Sequence, residues 1–222
     1  MKTEELIVTL AQASAPWTPL PPVRVRVTRW LLLSIGLCAV TVATVGARRD
    51  ILLSLQDPGF VALALATFTA GLLASAAGMR LGVPGAERTP LWRALSVLLA
   101  GVWVLMLLAR LASGGSAWPR LAAFPNHWAC VAEIVGLTAV TGWVFFRMLR
   151  RAAPLQRTWS AALATLAPAA LAATATQIMC PLDDPAHHIV SHVTPVAVLA
   201  VLGTLAGRHA LVWSSDRRVR GR

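Results

Sequence analysis

Residues 180–192, Cys-Pro-Leu-Asp-Asp-Pro-Ala-His-His-Ile-Val-Ser-His, gather a thiol, two carboxylates and three imidazoles into one short stretch. A second thiol, Cys130, follows His127 by three residues. Thiolate sulfur and imidazole nitrogen together suit zinc, cadmium or copper(I), ions that prefer soft or borderline ligands. His188 and His192 stand four residues apart, so on a helix they share one face, and His127, Cys130 and Glu133 recur every three residues along another. The expected ligand set is Cys130 and Cys180 with His188, His192 and His127. A regulatory metal ion is the expected occupant, and no obligatory cofactor is expected. Asp183, Asp184 and His187 read as loop residues between two apolar runs, and Cys38 as a small buried apolar residue. Other uses of the same side chains stay open: a disulfide between Cys130 and Cys180, unpaired buried thiols, and histidines that only hydrogen-bond at an interface. Glu133, an ionisable group inside an apolar run, is either a ligand or a hydrogen-bonding link between helices.

Several chemistries are excluded by what surrounds these residues. Three cysteines without a Cys-x-x-Cys pair argue against a zinc ribbon and against a thioredoxin-type redox motif. There is no glycine-rich phosphate loop, Ser-His-Asp order or nucleophile elbow, so the chain does not read as an enzyme. A net charge of +11 raises the question of nucleic acid, but the arginines punctuate apolar runs and form no basic stripe, so no direct nucleic-acid partner is expected. Two rival classes remain. A metal transporter could use Glu133 and the histidines as a path, although polar residues should then recur deep in several runs. A membrane thiol oxidoreductase could use the two cysteines catalytically, but its usual motif is missing.

The elements that must hold these residues are apolar helices. Of the 222 residues 57% are hydrophobic, and the mean hydropathy is +0.67, well beyond an ordinary soluble domain. Six runs approach the roughly 20 residues that cross a hydrocarbon core: Trp30 to Ala47, Gly59 to Met79, Trp92 to Leu111, Trp128 to Phe146, Trp159 to Met179 and Ile189 to Gly207. The fold class is therefore an all-α integral membrane protein with six transmembrane helices and lipid as its solvent. In the third run Arg93 and Arg110 must snorkel to the interfaces. Sixteen of the 20 Lys and Arg fall on one side of such a bundle, and only Arg48, Arg49, Arg110 and Arg120 on the other. The positive-inside rule then puts both termini in the cytoplasm, with Arg48 and Arg49 as the discordant pair.

This reading divides the chain into an N-terminal segment with a proline-rich linker (1–28), a six-helix transmembrane domain (29–212) and a basic cytoplasmic tail (213–222). In the first segment Thr3 is a plausible N-cap, Glu4 and Glu5 suit the positive end of a helix, and Leu6, Ile7 and Leu10 share a face. A helix this short is marginal alone and needs a surface, either the membrane and bundle or a partner's groove. Pro16, Pro19, Pro21 and Pro22 stiffen the link that follows. Runs four and five form an antiparallel hairpin about an inner loop near Pro154. Cys130 lies 24 residues before that proline and Cys180 26 after it, so their heights differ by roughly 3 Å at a rise of 1.5 Å per residue.

Met1-Lys2-Thr3-Glu4-Glu5-Leu6-Ile7 with Leu10-Ala11, Pro-Leu-Pro-Pro at 19–22, Cys130 and Cys180, Arg150-Arg151-Ala152-Ala153-Pro154, and Gly207-Arg208 with Leu211 and Trp213 form a pattern that spans the whole chain. With these residues the chain resembles the NrsF-type bacterial membrane anti-sigma factors. The resemblance implies a regulator in the bacterial inner membrane that sequesters an extracytoplasmic-function sigma factor and frees it under heavy-metal or oxidative stress. It further implies that Cys130 and Cys180 are the periplasmic sensing thiols, and that Thr3, Glu4, Glu5, Leu6, Ile7 and Leu10 belong to the part offered to the sigma factor. The chain departs from the family pattern after the second cysteine. The stretch Ile189 to Pro195 is aliphatic around His192 where the family is usually aromatic, so ligand set and inducer are open to difference.

Overall fold

The computed structural model describes residues 2–13, 19–83, 85, 90–114, 128–152 and 154–211. Every regular element among them is helical: α1 (Thr3–Ala13), α2 (Val23–Val45), α3 (Ile51–Ser54), α4 (Pro58–Arg80), α5 (Leu91–Ser113), α6 (Trp128–Ala152), α7 (Arg157–Met179), α8 (Pro185–His188), a π-helical turn (Ile189–Val193) and α9 (Thr194–Ala210). The segment from α8 to Gly207 runs as one span, and with α2, α4, α5, α6 and α7 it makes six helices long and apolar enough to cross a membrane. The protein is a multi-pass, all-α membrane protein.

Helix α7 is the axis of the bundle and packs against α2, α4, α6 and α9. Its sequence explains why. Alanines 161, 164, 167, 169, 170, 172, 173 and 175 are all buried, and small side chains let backbones approach closely where lipid offers no hydrophobic drive toward association. Its contact with α9 is closest where a Cβ on Gly203 would overlap Thr165 and one on Gly207 would overlap Ala161. Pro168 sits buried within α7 beside Gly142 of α6. Polar ties between α7 and α4 are few: Thr174 Oγ1 donates to Thr67 Oγ1 at 2.9 Å and Gln177 Nε2 to the Phe60 carbonyl at 3.4 Å.

Two helices begin a full turn or more before their apolar runs. Helix α2 starts at Val23, directly after Pro22, and not at Trp30. Val23, Val27, Trp30 and Leu31 turn one stripe onto the core, and Trp30 is fixed by donating Nε1 to the Thr141 carbonyl at 2.9 Å and by meeting Phe145 edge-on. The last span starts at Pro185 and not at Ile189. Asp184 accepts from the Ala186 amide, and Pro185 at the first turn has no N–H to leave unsatisfied.

Contacts sort the helix ends into two poles. At one, the Arg48 amide after α2 donates to the Ile178 carbonyl near the end of α7, and Arg110 at the end of α5 reaches Asp57 before α4. At the other, Arg26 of α2 donates to the Met79 carbonyl of α4, and Arg93 of α5 donates to Gln156 before α7. Arg93 and Arg110 thus occupy opposite ends of α5, each beside a polar partner.

A buried sulfur and imidazole cluster at one pole

Cys130 lies in the first turn of α6 and Cys180 immediately follows α7, so the α6–α7 hairpin delivers both to the first pole. Both thiols are free and buried. With His187 and His192 they place one ligand atom each so that all four lie within 4.8 Å of one another, every residue buried. Nε2 of His187 stands 3.1 Å from Cys180 Sγ and 3.8 Å from Cys130 Sγ. Its Nδ1 faces Ser191 Oγ at 3.4 Å, a contact that orients the ring with Nε2 toward the sulfurs.

The π-helical turn explains why the histidines meet. On an α-helix residues five apart point in different directions, but the wider π turn brings His187 and His192 toward the same side, with ring centroids 5.4 Å apart. Pro195 gives the turn a local cause. It has no N–H to offer the Ser191 carbonyl and its ring crowds that carbonyl, so an α-helical continuation is disfavoured. Thr194 Oγ1 instead donates to the Ile189 carbonyl five residues back, at 3.0 Å.

The arrangement departs from the sequence-based ligand set. His187, expected in a loop, is helical and sits against both sulfurs. His188 lies outside the four-residue group: its Nε2 is 2.9 Å from the Leu182 carbonyl and its ring stacks on His192 at 4.7 Å and 18°. The i, i+4 pair therefore does share a face, but as a stacked pair with one member turned to the backbone. His127 is outside the described residues. Glu133, one turn deeper on α6, is half-buried and not among the four. Cys38 is half-buried, with its thiol 3.9 Å from the Leu171 carbonyl. Asp183 and Asp184 are not idle loop carboxylates, since Asp183 pairs with Arg48 at 2.6 Å and Asp184 caps α8.

The donor set and its surroundings fit a metal ion. A tetrahedral zinc with sulfur near 2.3 Å and nitrogen near 2.0 Å needs ligand atoms about 3.3–3.8 Å apart, so the observed cluster needs to contract by about 1.5 Å at most. One ring nitrogen of His192 stands among the four clustered ligand atoms, and its Nε2 is a buried polar atom without a hydrogen-bond partner. The Cys180 thiol is held below its ordinary range by the hydrogen bond from Cys130 first and those with His187 and His192 next, against burial, which pushes it up. A group disposed toward thiolate is what a soft cation requires.

On α1, by contrast, the sequence-picked residues Thr3, Glu4, Glu5, Leu6 and Ile7 are all exposed; the Leu10 side chain lies outside the described residues. The Lys2 amide donates to Glu5 Oε2 at 3.1 Å and Thr9 Oγ1 to the Glu5 carbonyl at 2.7 Å, so the described bonds of these residues stay within the first turns.

A six-helix membrane bundle with a helical segment ahead of the first span and buried thiols at one pole defines the class. The family described as NrsF, negative regulator of sigma F, matches residues 10–213, and the chain belongs to that family. No curated protein and no solved structure gives a match. By family the protein is a negative regulator of a sigma factor.

Proposed function

We propose that the protein is an anti-sigma factor of the bacterial inner membrane that holds an extracytoplasmic-function sigma factor and releases it when metal binds at, or an oxidant reaches, Cys130 and Cys180. The observation that carries this reading is the meeting of two free thiols with His187 and His192 in one buried cluster, in a chain whose family regulates sigma factors. Both termini lie in the cytoplasm, as the 16-to-4 division of basic residues favours, which puts the sulfur pole on the periplasmic side. The ion is zinc, cadmium or copper(I), with Cys130, Cys180, His187 and His192 as its ligands, and it contributes charge and bonds that draw the ends of α6, α7 and α8 together. Oxidation of the two thiols to a disulfide would draw in the first two of these elements and is the second reading, favoured by the same sulfur proximity.

The sigma factor is held at the other pole. Leu6, Ile7 and Val8 of α1 are 40%, 60% and 54% exposed, on a helix too short to be stable without a surface. Thr3, Glu4, Glu5, Leu6, Ile7 and Leu10 form the docking segment, and the arginines of the inner loops meet acidic surface on the partner. Only about 1.4 kcal/mol of differential affinity gives a tenfold release. Metal bonds in protein sites supply on the order of 10 kcal/mol, so the site has ample energy to bias the bundle.

Co-purification of a sigma factor with the detergent-solubilised chain, with and without cadmium, tests the reading. Retention without cadmium and loss with it is expected, and Cys130→Ser or Cys180→Ser should retain the sigma factor in both conditions. Release from either serine variant equal to that of the unaltered chain rejects the thiol sensor. Deletion of residues 1–14 should abolish retention altogether; continued retention moves the docking site to the inner loops.

A further inference from the structure

Arg48 is one of the two discordant basic residues, with Arg49, on the pole where few basic residues fall. Its side chain is 1% exposed and fully engaged. Nη1 and Nη2 form a fork on the two oxygens of Asp183 at 2.7 and 2.6 Å, while Nε and Nη2 take Asp50 at 2.8 Å each. The guanidinium lies over the Phe60 ring at 5.5 Å. With two carboxylates on one cation, Arg48 contributes no net positive charge to that pole.

The backbone of the same residue donates to the Ile178 carbonyl at 3.0 Å. Arg48 therefore grips the chain on both sides of Cys180, at Ile178 before it and at Asp183 after it. It is joined through Gly46, whose φ of 101° makes the turn out of α2, to the one span that leads directly to the N-terminal segment. At the far end α2 is fastened by Trp30 to α6 and by Arg26 to α4.

We propose that Arg48 is the positioning residue that couples the sulfur cluster to α2, so that a shift of the Cys180 segment moves the span on which the sigma-holding helix is mounted. This rests on the regulatory reading above and adds to it the route by which the site is read out. A planar, bidentate fork fixes the relative position of its two partners more tightly than a lysine's point charge does.

The test uses the full chain in nanodiscs with its sigma factor bound and cadmium ion as the probe, comparing the unaltered protein with Arg48→Gln, Arg48→Lys and Asp183→Asn. Asp183→Asn keeps the shape of the loop if loss of the buried cation prevents folding. Three quantities are read: cadmium affinity, cadmium-driven release of the sigma factor, and amide exchange of residues 23–30 with and without cadmium. In the unaltered chain cadmium should both release the partner and change exchange in residues 23–30. In Arg48→Gln and Asp183→Asn cadmium affinity should stay within about threefold, while the cadmium-driven release falls at least about tenfold and the exchange response disappears. Arg48→Lys should fall between.

Release and exchange responses like those of the unaltered chain overturn the coupling role. So does a parallel loss of cadmium affinity in both variants, since Arg48 would then only build the site. Absence of cadmium-driven release from the unaltered chain overturns the regulatory reading itself, and the coupling role with it.

Discussion

The two poles of the bundle end their helices by different means. At the sulfur pole α4 and α8 have capped starts: Asp57 accepts from the Gly59 and Phe60 amides at 2.9 and 3.2 Å, and Asp184 from Ala186. Arg48 has two carboxylates, which hold its charge firmly, and it in turn keeps Asp50 below its ordinary range. At the opposite pole the described spans begin differently. Helices α2, α5 and α7 begin at Pro22, Pro90 and Gln156 without a side-chain cap. The arginines there lean on rings instead: Arg80 over Trp92 at 5.4 Å, Arg93 over Trp159 at 5.2 Å and Arg147 over Trp143 at 5.7 Å. Arg26 is buried with a single carbonyl acceptor, leaving Nε and Nη1 unpartnered. Capped, ion-paired ends fix geometry, as a ligand site needs; ends held by ring contacts and half-satisfied cations rearrange at lower cost, as a docking surface needs. On the proposed reading, the precision of a ligand site and the adaptability of a docking surface fall at opposite ends of the same helices.

The largest effect that can break this contrast lies within the cluster. His187→Ala removes the imidazole nearest both sulfurs and should lower cadmium or zinc affinity by about 100-fold, roughly 2.7 kcal/mol. His188→Ala removes only a stacked ring and a link to the Leu182 carbonyl, and should cost about tenfold, the usual range for a supporting partner. Competition with a chromogenic chelator measures both, and equal losses would mean that the four-residue geometry does not define the site. A smaller effect sharpens the contrast between the ends. Asp57→Ala and Asp184→Ala should each destabilise by about 1 kcal/mol through the lost cap. Gln156→Asp, which offers a cap to an uncapped terminus, should stabilise by up to about 1 kcal/mol. Denaturation in mixed micelles reads all three; Asp184→Ala should also weaken metal binding, because the capped turn carries His187.

The six spans were legible because hydropathy alone defines a membrane helix, and the depth match of Cys130 and Cys180 followed from their nearly equal distances to Pro154. The site was only half legible. An α-helical period pairs His188 with His192, whereas the fold pairs His187 with His192 through a π turn, and the one signal for that turn was Pro195 inside an apolar run. The Asp184-Pro185 pair was a readable helix start that would have moved His187 out of the loop. Arg48 stood out in sequence, together with Arg49, as a charge on the wrong side. Its explanation needed Asp183, 135 positions away, which no local pattern connects to it.

The smallest expected effect is at the other pole. Arg147 and Trp143 are both exposed and one turn apart on α6, so their contact is a surface cation–π pair worth about 0.5–1 kcal/mol. Arg147→Gln should therefore move the unfolding midpoint less than Asp184→Ala does, leave metal affinity unchanged, and alter chiefly the emission of Trp143. Its effect on sigma-factor retention should exceed its effect on stability, because a guanidinium resting on a ring is already half-disposed to leave it for an acidic partner. If Arg147→Gln instead destabilises as strongly as loss of the Asp184 cap, the ring-held arginines are structural fastenings, and the two poles differ in chemistry without differing in rigidity.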